Sequence, residues 1–336
     1  MKKPRHRWRI AATVLLVVVT AFAVTIALLW GNRADISILG WPVAQPTESE
    51  AGAVKVTWLG ITTLLFDDGE TQILTDGTFT RVSPLDIVLQ QRVSSDVAIV
   101  NYALAEFRLN RLAAIIPVHS HFDHAMDVGL VANRSSAVVL GSESTANIVR
   151  GANLPVDQYQ ILANGESRQF GDFTITVVHS RHAPVGFGDD PWFPGRIEEP
   201  LVQPARIRDW KDGVVYSIFI SHPRGTTLVQ ASGGFIENNL DGRSADVVMI
   251  GIAGLAWLGR DYVDQYWAET VTPLGASRIF PIHHDDFTRP FGEIATFPTV
   301  FDNIVRTGTW ISELAQQEEA PPSIELLPFG KPIVLY

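Results

Sequence analysis

Three imidazoles and one carboxylate stand within six residues, His119-Ser120-His121-Phe122-Asp123-His124, in a chain with nine histidines in all. Imidazole nitrogen and carboxylate oxygen are ligands for zinc, and also for iron or manganese. A cation held this way lowers the pKa of bound water from about 15.7 toward 7 and polarises a carbonyl or phosphoryl oxygen. The chemistry to expect is therefore hydrolysis by metal-activated water. The chain has no cysteine, so thiolates cannot supply ligands and no disulfide framework exists. A polar loop with chance histidines would explain a lone His-x-His pair. It does not explain the full run placed directly after the apolar segment Ile115-Ile116-Pro117-Val118.

The backbone must aim these groups. His119 and His121, two apart in an extended stretch, point to one side. Asp123 and His124 lie at the bend into a following helix and turn toward a second ion. The alternation of Val54, Val56 and Trp58 with polar residues predicts a half-buried strand. Strands are also expected at 62–66, 72–75, 114–118, 137–140, 173–178, 214–220, 226–230, 247–250 and 278–282. Helices are expected at 97–112, 142–150, 261–271 and 299–316, with Ser142 or Ser144 near the start of the second. Strands followed by helices, twice over, suggest two sheets with helices outside. The stretch 184–212 is rich in Gly, Pro, Trp and charge. It is long for a connection and could form a rim over the site.

The run His119–His124 resembles the signature of the metallo-β-lactamase fold superfamily, and the resemblance covers most of 54–336. It implies an αββα four-layer sandwich and a metal-dependent hydrolase. Val56-Thr57-Trp58-Leu59-Gly60 through Ile73-Leu74-Thr75-Asp76 looks like that family's opening strands. Asp76 would then be a buried carboxylate that orients a ligand imidazole; a turn Asp capping the strand end is the alternative. The family's next histidine closes a later strand. His182 fits it, with His179 as the rival. The last follows a strand near the C-terminus, Ile279-Phe280-Pro281-Ile282-His283. His284 would point the other way, and Asp285 and Asp286 would orient His283 or bind through water.

The resemblance thus implies metal ligands His119, His121, Asp123, His124, His182 and His283. Asp123 would also hold the proton of the nucleophile, and Asp76, Ser232 and Asp285 would support the ligands. Ser232 is a departure, because many relatives place there an Asp that bridges two ions. A neutral hydroxyl is a weak ligand, so either one ion binds at His119, His121 and His182 with the second site weak, or a second ion binds without the bridge, through Asp123, His124 and His283. Two ions are expected, zinc first, with iron or manganese as alternatives. Within the superfamily the order of motifs looks most like the branch with ascorbate-phosphate lactonases and N-acyl-phosphatidylethanolamine phospholipases. An ester, lactone or phosphodiester, of a small molecule or a lipid, is then the expected substrate. A non-catalytic binding or sensory protein on a degenerate hydrolase fold is the competing reading. A true β-lactamase finds no carboxylate clamp in 184–212 to support it.

The N-terminus sets the location. Residues 1–9 carry Lys2, Lys3, Arg5, Arg7 and Arg9 and no acid; 10–30 is an uncharged apolar run flanked by Trp8 and Trp30. At about 1.5 Å per residue a helix of that length crosses a hydrocarbon core of about 30 Å. The basic residues before it keep the N-terminus cytoplasmic and export the rest, a single-pass anchored protein. A cleaved signal peptide, cut near Ala21-Phe22-Ala23, is the alternative. The expected organisation is a basic segment 1–9, a span 10–30, a linker 31–52 and a hydrolase domain 53–336. Beyond residue 9 the chain holds 21 basic against 36 acidic residues. So acidic a body is a poor partner for nucleic acid.

Overall fold

The computed structural model describes residues 4–46, 52–186, 188 and 190–336. Lys2, Lys3 and the polar run Thr47-Glu48-Ser49-Glu50 lie outside the described residues, as do the side chains of Arg5, Arg7, Phe22 and Ala23.

Two seven-stranded sheets form the centre. The first runs Pro332–Val334, Lys55–Trp58, Leu64–Asp67, Gln72–Thr75, Leu112–Ile116, Val138–Gly141, Tyr159–Ile161. The second runs Ser323–Ile324, Arg278–Ile282, Val247–Gly251, Gly225–Gln230, Val215–His222, Phe173–Ser180, Ser167–Phe170. Each is antiparallel at one end and parallel at the other.

Alternation along the strands explains the layering. Val56, Phe66, Ile73 and Ile116 of the first sheet meet Ile175, Ile218, Val229, Met249 and Phe280 of the second in one core. Their neighbours Leu65, Leu74 and Ile115 face outward onto the helices Val97–Glu106, Val128–Ser135 and Glu143–Gly151. Phe219, Leu228, Val248 and Ile279 face outward on the other side, onto Arg260–Thr270 and Ile304–Gln317. The result is the expected αββα sandwich. Ser142 caps Glu143–Gly151, its hydroxyl accepting the Thr145 N–H at 3.3 Å.

Some expectations are corrected. The helix at 97–112 stops at Glu106, and Leu112 opens a strand, because residues 107–111 turn back with Arg108 at φ 52°. The strands Tyr159–Ile161, Ser167–Phe170 and Pro332–Val334 and the helix Val128–Ser135 had no sequence signal strong enough to mark them. The stretch 31–46, read as linker, packs along the domain. Trp41 is buried and donates its indole N–H to Ser312 Oγ at 2.9 Å, and Arg33 pairs with Asp286 at 2.7 Å. A single Trp in a Pro-rich segment has no periodicity to reveal that burial. Before it stands the helix Pro4–Gly31, whose stretch Trp8–Gly31 is long and apolar enough to cross a membrane and is not buried against the domain.

Candidate metal centre

Strands deliver the site residues to one end of the sandwich. Leu112–Ile116 runs into His119 and His121, and a short helix, Phe122–Ala125, carries Asp123 and His124. Phe173–Ser180 ends just before His182, Gly225–Gln230 just before Ser232, and Arg278–Ile282 at His283.

The groups sort into two sets. In the first, His119, His121 and His182 bring one ring nitrogen each to within 4.8 Å of one another. His119 Nε2 lies 2.9 Å from His121 Nδ1. His119 Nδ1 is occupied by Ser232 Oγ at 2.9 Å, and His182 Nδ1 by the Ala183 carbonyl at 2.8 Å. Those outer contacts leave the inner nitrogens of both rings for a ligand. In the second set, Asp123, His124 and His283 converge within the same limit. Asp123 Oδ2 is 3.4 Å from His124 Nε2 and 3.6 Å from His283 Nε2. The rings of His119 and His124, one from each set, have centroids 4.1 Å apart, so the two sets adjoin. The donor sets fit borderline divalent cations: three imidazoles in one, two imidazoles and a carboxylate in the other.

Burial sets the protonation states. His119 and His121 are driven down by burial and by neighbouring imidazoles, His121 to about 3. Burial also lowers His182, to about 4. Burial would raise Asp123, but His124, His283 and His121 outweigh it and hold the carboxyl well below its usual range. Burial opposes a charge on His124, yet Asp123 and Asp76 lift it above the ordinary imidazole value. Two further buried atoms, His121 Nε2 and His283 Nδ1, lack a hydrogen bond of normal geometry, although the Phe193 backbone favours the protonated form of His121.

The supporting residues divide. Asp76 is fully buried; its Oδ2 meets His124 Nδ1 at 2.8 Å and the Thr62 hydroxyl, and its Oδ1 accepts the Val118 N–H at 2.9 Å. This turns His124 Nε2 toward Asp123. Ser232 reaches His119 through the nitrogen away from His121. Asp285 does not touch the His283 ring. It accepts the Ile61 N–H, and the Ile61 carbonyl accepts the His283 N–H at 2.9 Å. The rivals lie elsewhere: His284 packs on Trp58, centroids 5.0 Å apart, and His179 lies against Tyr216 at 5.8 Å. Asp286 pairs with Arg33 instead.

Sequence reasoning missed Thr62, whose hydroxyl is 2.8 Å from His124 Nδ1, and Asp302, a buried carboxyl raised to about 6 by burial. It also missed Arg81, whose charge faces Asp285, Asp127 and Asp123. None has a local signal; each is brought in from a distant segment. Within the stretch 184–212, Phe193 sets its ring edge-on to His121 at 6.4 Å, as a rim would. A third group, Asp68, Asp172 and His222, sits on hairpin turns at the opposite end of the sheets.

Comparison with known proteins agrees with the fold. A family model described as a beta-lactamase superfamily domain matches residues 55–283. An exodeoxyribonuclease, YycJ of Bacillus anthracis, is 32% identical over 80 residues, 23% of this chain and 30% of that protein. The match therefore spans less than a third of that relative's length. CmlA, a diiron β-hydroxylase from Streptomyces venezuelae, superposes with a TM-score of 0.51 at 11% identity, covering 86% of this chain and 55% of CmlA. Igni18, a metallo hydrolase from the hyperthermophilic archaeon Ignicoccus hospitalis, superposes with a TM-score of 0.47 at 12% identity, over 84% of this chain and 99% of Igni18. At 11% identity the likeness to CmlA is one of fold.

Proposed function

We infer, for a chain that belongs to the beta-lactamase superfamily and is a metal-dependent hydrolase, that it holds two ions and cleaves a phosphodiester. The observation that carries the reading is the pair of adjoining ligand sets with Asp123 between His124 and His283. Two cations side by side suit a phosphoryl centre, where both the attacking and the leaving oxygen carry charge. Zinc fits five imidazoles and one carboxylate best, with iron or manganese as alternatives.

The protein's own groups have separable parts. His119, His121 and His182 would hold one ion, and Asp123, His124 and His283 the other. Bound there, the metal would supply a hydroxide at neutral pH and polarise the phosphoryl oxygen. Asp123, kept ionised by its imidazole neighbours, would accept a hydrogen bond from the attacking water and orient it. Asp76 and Ser232 fix the rings of His124 and His119, so the ligands need little reorganisation. Phe193 sets its ring edge beside His121, where it would border a bound substrate.

The exodeoxyribonuclease relative supports phosphodiester chemistry, whereas the acidic body disfavours a nucleic-acid polymer. A small or lipid phosphodiester reconciles the two, and the apolar N-terminal helix, read as a single-pass anchor with a cytoplasmic N-terminus, favours the lipid. The competing reading, a binder without turnover, rests on Ser232 in place of a bridging acid. The second ligand set, complete without that acid, speaks against it.

The test is a panel of phosphodiesters, lactones and carboxylic esters offered to the zinc-loaded full chain in detergent. Phosphodiester turnover that disappears in Asp123→Asn is expected. Turnover confined to lactones or esters would replace the substrate assignment, and tight binding without turnover would favour the binder.

A further inference from the structure

Four large apolar side chains remain exposed on a short helix, Leu255–Leu258, a loop and the end of the N-terminal helix: Trp30 at 39%, Trp257 at 68%, Val300 at 41% and Phe301 at 50%. They belong together. The rings of Trp30 and Phe301 meet edge-on at 5.3 Å, and the Trp257 indole N–H donates to the Phe301 carbonyl. Trp30 is also the last apolar residue of the candidate span. If the span crosses a bilayer, Trp30 stands at its boundary, and Phe301 and Trp257 stand beside it.

We propose that this face of the catalytic domain rests in the interfacial region of the lipid bilayer, with Trp257 and Phe301 inserted among the acyl-chain ends. The proposal rests on the reading of the N-terminal helix as an anchor. The indole N–H of Trp257 is already satisfied by a carbonyl, so moving the ring out of water strands no donor. Aromatic rings with one wet edge favour that depth. Arg306, exposed beside Trp257 and Val300, is placed to meet lipid phosphate.

The short helix and the loop also reach inward. Gly254, just before the Trp257 turn, donates its N–H to Asp302 Oδ2 at 2.8 Å, and Asp302 follows Phe301 and lies near His283 electrostatically. Leu255 packs toward Gly233, which bridges to His182. The lipid-facing segments are therefore one residue layer from ligands of both sets. A lipid phosphodiester could enter from the membrane side without leaving the interface.

The absence of cysteine gives a clean test. Single cysteines at Trp257→Cys, Phe301→Cys, Val17→Cys and Asp172→Cys, each in the full chain in phosphatidylcholine vesicles, are spin-labelled and probed for collision with oxygen and with a water-soluble nickel chelate. Labels at 257, 301 and 17 are all expected to favour oxygen. The label at 172, at the far end of the sheets, should favour the chelate. If 257 and 301 behave like 172 while 17 lies in lipid, the proposal is overturned and the anchor stands. If 17 also favours the chelate, the anchor reading fails and takes this proposal with it.

Discussion

Asp285 accepts the main-chain N–H of Ile61 with both carboxylate oxygens, at 2.9 and 3.0 Å, across 224 residues of sequence. Ile61 needs that hold. Its φ is 54°, a conformation that a β-branched residue rarely adopts. The Ile61 carbonyl then takes the His283 N–H, and His283 is itself at φ 55°. Two costly backbone conformations, about 1–3 kcal/mol each, are thus braced by one buried carboxylate beside the second ligand set.

Asp285→Ala should therefore destabilise the fold by about 2 kcal/mol, the loss of a charge-assisted bond to a buried N–H. It should also loosen His283. Denaturant melts paired with a zinc titration check this. Unchanged stability with unchanged affinity would show that the Ile61 turn holds without the carboxylate.

Asp76 sits at φ 55°, which Asn also tolerates, so Asp76→Asn should keep the backbone while weakening the grip on His124 Nδ1. Affinity at the Asp123–His124–His283 set should fall about 10- to 100-fold, the usual effect of removing such a partner. The His119–His121–His182 set should be spared. Competition titration with a chromophoric chelator resolves the two steps; equal loss at both would contradict the assignment of Asp76 to His124.

The pH dependence of the metal-free chain follows from His121 near 3 and His182 near 4, both below the ordinary 6.5. Between those values and 6.5 the unfolded chain binds more protons than the folded one. The contribution of these two histidines is therefore complete above about 6.5 and declines as pH falls toward 4, while His124, lifted by Asp123 and Asp76, acts in the opposite sense. The Tm of the metal-free chain should drop between pH 7.5 and 5, and the drop should shrink in His121→Gln/His182→Gln. A Tm that is level across that range, or equally steep in the variant, would contradict the buried neutral imidazoles.

The legible parts of this protein were local ones. The run His119–His124 is contiguous, and His182 and His283 close apolar strands, so the residues that the fold gathers into one cluster were readable by type and position. Alternation marked the central strands, and Gln72–Thr75 and Arg278–Ile282 match their expected bounds. Thr62, Arg81 and Asp302 were illegible because their importance comes from long-range packing against common residue types. Asp285 was expected to orient His283, but its partner, a backbone N–H 224 residues away, leaves no trace in composition or spacing. The sheet-edge strand Pro332–Val334 was hidden for the same reason, its pairing to Lys55–Trp58 spanning nearly the whole domain.

The central claim is that these clustered imidazoles and Asp123 hold cations that make water reactive. The most direct measurement strips the full chain of metal, restores zinc stepwise, and follows both bound zinc and hydrolysis of a nitrophenyl phosphodiester in wild type and His121→Ala. The expected result is no turnover without metal, a rise that saturates at two equivalents, and at least about a 100-fold loss in His121→Ala with less zinc bound. Wild-type turnover in the metal-free chain, or in His121→Ala with no bound zinc, would contradict it.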